Sequence, residues 1–246
     1  MPTNYDDIAD QYKEAKYQLW RTHIERYTIL NLVGDIANQT VVDLACGEGF
    51  YSRMLKRLGA VDVLGLDLSQ GMIDLAKAEE SREPLGIDFQ VGDAREFQAS
   101  EPFDFVFAAY LLNYASNFDE LTEMCHAISQ SLKPGGRFLT VNNNPCDPVA
   151  NFSIGKTYEY SKRLEGDLVE GAPIIWTFIL PEGPLSITNY YISKERLEQA
   201  LQEVGMRDLR WHPPQVSPEG QAEFGVAHWQ PFLQSPPVAF IECFKA

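Results

Sequence analysis

Four short runs in this chain of 246 residues place groups capable of binding chemistry at successive intervals. The first is Val41-Val42-Asp43-Leu44-Ala45-Cys46-Gly47-Glu48-Gly49-Phe50. β-Branched residues lead into an acid, a Gly-x-Gly turn follows, and a helical pattern opens. Glycine lets a backbone approach a ligand with no Cβ in the way. The second is Asp67, 18 residues beyond Gly49, where a carboxylate can accept both hydroxyls of a ribose. The third is Gly92-Asp93-Ala94. A carboxylate there suits the amino group of an adenine, with the Ala94 N–H toward a ring nitrogen. The fourth is Ala108-Ala109-Tyr110-Leu111-Leu112-Asn113-Tyr114. An acid at a strand end is ordinarily a turn or N-cap residue. Several such positions in order, each closing an apolar run, point instead to one ligand site.

Those runs need elements to hold them. Residues 41–44, 61–66, 87–91, 103–109 and 137–141 are short, β-branched or aromatic apolar runs and are expected as strands. Between them lie helical patterns. One covers residues 50–58, and a second follows Ser69 as N-cap and carries Met72, Ile73, Leu75, Ala76 and Ala78. A third has Leu121, Met124, Cys125, Ile128 and Leu132 on one stripe. Lys133-Pro134-Gly135-Gly136 reads as a turn. Strands at 206–211 and 238–244, around a helix at 193–204 capped by Gly205, bring the expected total to seven. Alternating strands and helices predict an α/β fold with a doubly wound, mostly parallel seven-stranded sheet. Ligands in such folds bind beyond the carboxyl ends of the strands, at the switch in strand order. Leu19, Ile24, Tyr27 and Leu30 suggest a helical stripe ending at Gly34. The expected division is a helical lid at 1–34, a ligand-binding core at 35–144, a substrate-side insertion at 145–192 with a strand at 174–180, and completion of the sheet at 193–246.

Charge and cysteine usage narrow the class. Thirty-five acidic and 20 basic residues give a net charge of −15. Such a field repels nucleic acid and anionic membranes, and the basic residues are scattered. The four cysteines form no CxxC pair, so zinc and redox-motif readings fail. The acidic opening predicts no signal peptide, and no apolar run approaches the ~18 residues of a membrane span. A cytoplasmic protein, as monomer or homodimer, is expected.

The run 43–49, Asp67, Gly92-Asp93-Ala94 and Leu132-Lys133-Pro134-Gly135-Gly136 together resemble the class I S-adenosylmethionine-dependent methyltransferases, over residues 38–142. The opening Tyr5-Asp6-Asp7-Ile8-Ala9-Asp10-Gln11-Tyr12 resembles their small-molecule branch. More loosely, residues 5–30 and 140–240 are similar to the toxoflavin-type azapteridine N-methyltransferases of secondary metabolism. The resemblance implies a Rossmann-like methyltransferase fold with S-adenosylmethionine as cofactor and S-adenosylhomocysteine as product. It implies Gly47 and Gly49 beneath the methionine moiety, Asp43 toward its ammonium, Asp67 on the ribose and Asp93 with Ala94 on the adenine. Leu68 and Met72 would sandwich the adenine ring, and Tyr12 would fold over from the N-terminal lid. Ala45 and Tyr110 complete the implied cofactor set.

For the acceptor, Tyr110, Asn113, Asn142 and His228 are the candidates to act at the methyl, and Asn113, Asn142, Trp176 and Trp229 the candidates to line the pocket. The aromatics of the C-terminal half favour a small, flat or heteroaromatic molecule and N-methylation. No Asp/Asp/Asn constellation of the magnesium-dependent catechol enzymes is present, so no metal is expected. Asn142-Asn143-Asn144-Pro145 resembles the Asn-Pro-Pro-Tyr signature of amino-methylating DNA enzymes, but it follows the wrong strand and lacks the second proline and the tyrosine. Two rivals stand beside this reading. A nicotinamide dehydrogenase would want a third glycine where Ser52 stands. A non-catalytic S-adenosylmethionine-binding regulatory module would keep the same motif.

Overall fold

The computed structural model describes residues 5–246. The chain enters through α1 (Ala9–Ala15), a π-helical turn (Arg21–Glu25) and α2 (Arg26–Val33). It then alternates: β1 (Thr40–Leu44), α3 (Phe50–Arg57), β2 (Asp62–Asp67), α4 (Gln70–Arg82), β3 (Asp88–Val91), β4 (Phe103–Ala109), α5 (Phe118–Ser131) and β5 (Leu132–Asn143). Three further strands come next, β6 (Tyr160–Leu164), β7 (Pro173–Leu180) and β8 (Gly183–Tyr190). The chain ends with α6 (Lys194–Glu203), β9 (Met206–His212), α7 (Pro218–Phe224), α8 (Val226–Gln234) and β10 (Val238–Lys245).

The main sheet has seven strands in the order β3-β2-β1-β4-β5-β10-β9, with β10 antiparallel to both its neighbours. Strand order reverses between β1 and β4, which sets the ligand crevice there. Successive residues of one strand enter different cores: Val41 packs with Phe105, Phe107 and Leu139 on one face, and Val42 with Val106, Ala108 and Phe138 on the other. Both faces are therefore dry, which is why these strands read as continuous apolar runs. Ser69 Oγ accepts the Met72 N–H at 3.1 Å and starts α4 directly after Asp67. Among the described residues, no helix is long and apolar enough to cross a membrane.

Two departures from the sequence pattern matter for the site. Residues 160–190 form a separate three-stranded antiparallel sheet, β6-β7-β8, whose Trp176, Phe178 and Ile187 share a core with Trp20 and Ile24. The N-terminal stripe is also rephased. Trp20, Ile24, Ile29 and Val33 are buried, Tyr27 and Leu30 are half-buried, and Leu19 is exposed. The cause is the π turn, in which the Arg26 N–H bonds the Arg21 carbonyl five residues back. One residue more per turn rotates the helix beyond it, and π turns of this kind recur at functional sites. Here the turn buries both Arg21 and Glu25.

Candidate active site

A cavity of about 540 Å³ opens beyond the carboxyl ends of β1, β2, β3 and β4. The N-terminal segment lines it with Tyr5, Tyr12, Lys16 and Arg21, and β8 contributes Thr188 and Tyr190. Of the cofactor set expected from sequence, Tyr12, Ala45, Gly47, Asp67, Leu68, Met72, Asp93, Ala94 and Tyr110 are on this wall. Asp43 lies buried at the end of β1, and Gly49 is off the wall. A Cβ at Gly49 would stand 2.6 Å from the Phe89 ring, and its φ is +81°. Glycine is required there by the turn and by Phe89.

The loop after β1 is held by carboxylates. Gly47, at φ +58°, donates its N–H to Asp67 Oδ2 at 2.8 Å, and the Ser69 N–H bonds Asp67 Oδ1 at 2.9 Å. Burial raises the Asp67 pKa, against the pull of those two N–H groups. Asp43 accepts the Ser52 hydroxyl at 2.6 Å through Oδ2, while its buried Oδ1 has no hydrogen-bond partner. Burial pushes the Asp43 carboxyl up to about 7, despite the Ser52 bond and the nearby Lys16 charge. Lys16 pairs with Glu48 at 3.0 Å, and a Cβ on Gly47 would meet its Nζ at 3.4 Å. Asp93 is bound through both oxygens by the Arg95 guanidinium, which holds its pKa below the usual carboxylate range.

Sequence reasoning missed a buried charged group opposite this loop. Glu25 accepts the hydroxyls of both Tyr51 and Tyr110. The Arg21 guanidinium stands 3.9 Å from Glu25 and over the rings of Tyr110 and Phe178, at 5.2 and 5.0 Å from their centroids. Its Nε and Nη1 have no hydrogen-bond partner. Burial opposes the Arg21 charge, but Glu25 and the surrounding phenols outweigh it, and the net direction is upward. Burial, then Glu25, drive the Tyr110 phenol well above its ordinary range. Tyr110 sits at φ +65°, a left-handed conformation that costs a tyrosine about 1–2 kcal/mol. The available signal was an Arg/Glu pair four apart, beside Trp20 and Ile24, in a helical stretch.

These features fit S-adenosylmethionine. An amino-acid end needs a cation for its carboxylate and an anion for its ammonium. Arg21, on the cavity wall with Gly47, has unspent donors, and Asp43, buried at the end of β1, has an unspent acceptor.

The expected acceptor residues divide. Tyr110 is in the main cavity. Asn113 and Asn142 line a second, smaller cavity of about 20 Å³, for which Tyr190 is a common wall. Trp176 and Trp229 are on neither cavity wall and lie in the core. Trp229 donates Nε1–H to the Gly220 carbonyl at 2.9 Å and stacks on Tyr158, and Trp176 stacks with Trp20 and Phe178. His228, on α8, packs against Phe224, Trp229 and Tyr158 away from both cavities. The small sheet must cover one face, and its large rings supply that area against the N-terminal helices.

Comparison with known proteins agrees with the geometry. Residues 41–136 match the family model described as a methyltransferase domain. N-demethylindolmycin N-methyltransferase of Streptomyces griseus is 25% identical over 190 residues, covering 75% of this chain and 77% of that protein. Ubiquinone biosynthesis O-methyltransferase of Coxiella burnetii is 28% identical over 181 residues, covering 70% and 68%. The crystal structure of an S-adenosylmethionine-dependent methyltransferase from Mesorhizobium loti shares the fold, with a TM-score of 0.63 at 18% identity over 90% of this chain and 97% of that one. With the motifs gathered at the ends of β1, β2 and β3, residues 41–136 form a methyltransferase domain, in a fold shared with S-adenosylmethionine-dependent methyltransferases.

Proposed function

We propose that the enzyme methylates a nitrogen of a small, flat, heteroaromatic acceptor. The observation that carries this reading is the wall of the main cavity, which includes six tyrosines: Tyr5, Tyr12, Tyr51, Tyr110, Tyr114 and Tyr190. Aromatic rings with polar tips favour a planar ligand over a flexible chain. When bound, S-adenosylmethionine supplies the electrophilic methyl carbon of an in-line displacement, so alignment carries most of the catalysis. Arg21 and Lys16 hold the carboxylate end, Asp43 the ammonium, Asp67 the ribose, and Asp93 with Ala94 the adenine edge. Tyr51 and Tyr110 spend their hydroxyl hydrogens on Glu25, so their oxygens present lone pairs to the acceptor. With raised phenol pKa values they do not ionise to serve as bases. An acceptor that needs no deprotonation fits this site, as a pyridine-type ring nitrogen does, whereas a phenol must first lose its proton to a base.

The likeness to N-demethylindolmycin N-methyltransferase supports the preference, as does the toxoflavin-type texture of the sequence. The charge of −15 supports a small-molecule partner over nucleic acid. The test is methyl transfer from labelled S-adenosylmethionine to a panel of ring-nitrogen heterocycles, phenols and carbon acids. Transfer to ring nitrogen is expected, and transfer confined to phenols or carbon acids overturns the N-methylation reading.

The Asp43 assignment makes cofactor binding pH-dependent. Its carboxyl is raised to about 7, so the folded apoenzyme holds a proton that the unfolded chain releases near its ordinary value of about 4. Asp43 thus makes the apoenzyme less stable as pH rises through that window, up to about 7. A bound ammonium favours the ionised form, so binding below pH 7 expels the proton. Affinity for S-adenosylmethionine should rise by up to about tenfold per pH unit below about 7 and level off above it. Calorimetry in buffers of different ionisation enthalpy should detect proton release about half a pH unit below that value in the wild type and none in Asp43→Asn. A flat profile in the wild type removes Asp43 from the ammonium.

A further inference from the structure

The small cavity beside the main one is lined by asparagines whose side chains are incompletely bonded. Asn113 is 4% exposed, and neither its Nδ2 nor its Oδ1 has a hydrogen-bond partner. Asn142 is 2% exposed, donates Nδ2–H to Thr140 Oγ1 at 2.7 Å, and has nothing on Oδ1. Asn143 Oδ1 is also without a partner. Among the described residues nine buried side-chain polar atoms lack a hydrogen-bond partner, and four of them belong to these three asparagines. Buried polar groups are nearly always satisfied, so a cluster of exceptions at a cavity calls for a ligand or ordered water.

Its place in the fold separates the two. Apart from Tyr110, the cofactor residues proposed on the sheet stand at the ends of β1, β2 and β3. Asn113 follows β4, and Asn142 and Asn143 end β5. The niche is therefore on the far side of the switch point from the cofactor groups, where an acceptor must enter. A carboxamide shows a donor and an acceptor side by side. Its complement is an edge with N–H and C=O, or N–H and ring nitrogen, adjacent to each other, which is how asparagine reads a base edge bidentately.

The geometry points to this niche as an acceptor-recognition subsite for a ring with a lactam or amidine edge. Asn113 pairs with the edge and the Asn142 carbonyl accepts a further N–H. At about 20 Å³ the niche itself takes no ring, so the ring sits in the main cavity and presents only its edge past Tyr190, the residue common to both walls. This deepens the reading of a flat heteroaromatic acceptor and rests on it.

The test titrates protein saturated with S-adenosylhomocysteine, using ligand-observed NMR. One probe is 2-pyridone, with adjacent N–H and C=O, and the other is 1-methyl-2-pyridone, which lacks the donor. The wild type should bind 2-pyridone at least about tenfold more tightly. Asn113→Leu should lose that preference, keep its affinity for S-adenosylhomocysteine within about twofold, and melt no lower than wild type, because an apolar side chain of like shape replaces an unsatisfied amide. Tyr190→Ala should retain the preference with the wall removed. Equal binding of the two pyridones by the wild type overturns the proposal without any variant, and so does a preference that survives in Asn113→Leu. If the wild type shows no preference and Asn113→Leu melts lower, the niche holds one ordered water. The cofactor arm is separate: failure of the pyridone preference leaves S-adenosylhomocysteine binding intact. Transfer confined to phenols in the acceptor panel overturns the N-methylation reading instead, whatever the pyridones do.

Discussion

Truncating Trp229 to alanine should cost about 3–5 kcal/mol of stability, as for other buried tryptophans. The side chain is 1% exposed, its N–H is bonded to the Gly220 carbonyl, and its ring stacks on Tyr158 with an interplanar angle of 12°. The change leaves both a void and an unpaired carbonyl. At roughly 2–4 °C per kcal/mol for a chain of this size, the melting temperature should fall by about 10 °C. Trp176→Ala should behave similarly, since the ring is held between Trp20 and Phe178. Its unbonded Nε1 makes part of that loss recoverable by Trp176→Phe. The companion measurement is cofactor affinity at a temperature where the variants remain folded, and it should stay within about threefold of wild type. A tryptophan whose removal spares the melting temperature but abolishes acceptor turnover would return that ring to the pocket wall.

Replacing Asp67 by alanine should weaken S-adenosylmethionine binding by about 10- to 100-fold, equivalent to roughly 1.5–3 kcal/mol, because a charge-assisted pair of acceptors is lost from the ribose. The loop geometry adds a second effect. Asp67 also accepts the N–H groups of Gly47 and Ser69, so the alanine variant strips the Gly47 turn of its anchor. The apoenzyme should lose about 1–2 kcal/mol as well. Asp67→Asn separates the two contributions. Its remaining oxygen can still accept one loop N–H, so stability should recover more than affinity. Calorimetric titration and thermal melts of both variants check this, and an unchanged affinity in Asp67→Ala would take the ribose away from this residue.

The seven-stranded sheet was legible because its signals are local. Val41-Val42, Phe105–Phe107 and Phe138–Leu139 are apolar on successive residues, which a strand buried on both faces requires, and Ser69 caps its helix within three residues. The placement of Asp43, Asp67 and Asp93 was legible for the same reason: each lies at or just past a strand's carboxyl end, and parallel strands gather those ends along one edge. Other features depend on contacts between distant segments. The small sheet decided that Trp176 faces Trp20, from a remote part of the chain, and left the cavity wall to tyrosines. Phe89, from β3, decided that Gly49 is a packing glycine. The π turn decided that Arg21 and Glu25 enter the core together, because one extra residue per turn rephases a helix in a way that a stripe read at about 3.6 residues cannot anticipate. Periodicity and strand ends, both readable from the chain alone, specify the sheet and the cofactor edge. Which charges and rings close over that edge was decided only when the N-terminal helices packed against β6-β7-β8, since burial there is set by the partner surface and not by the local pattern.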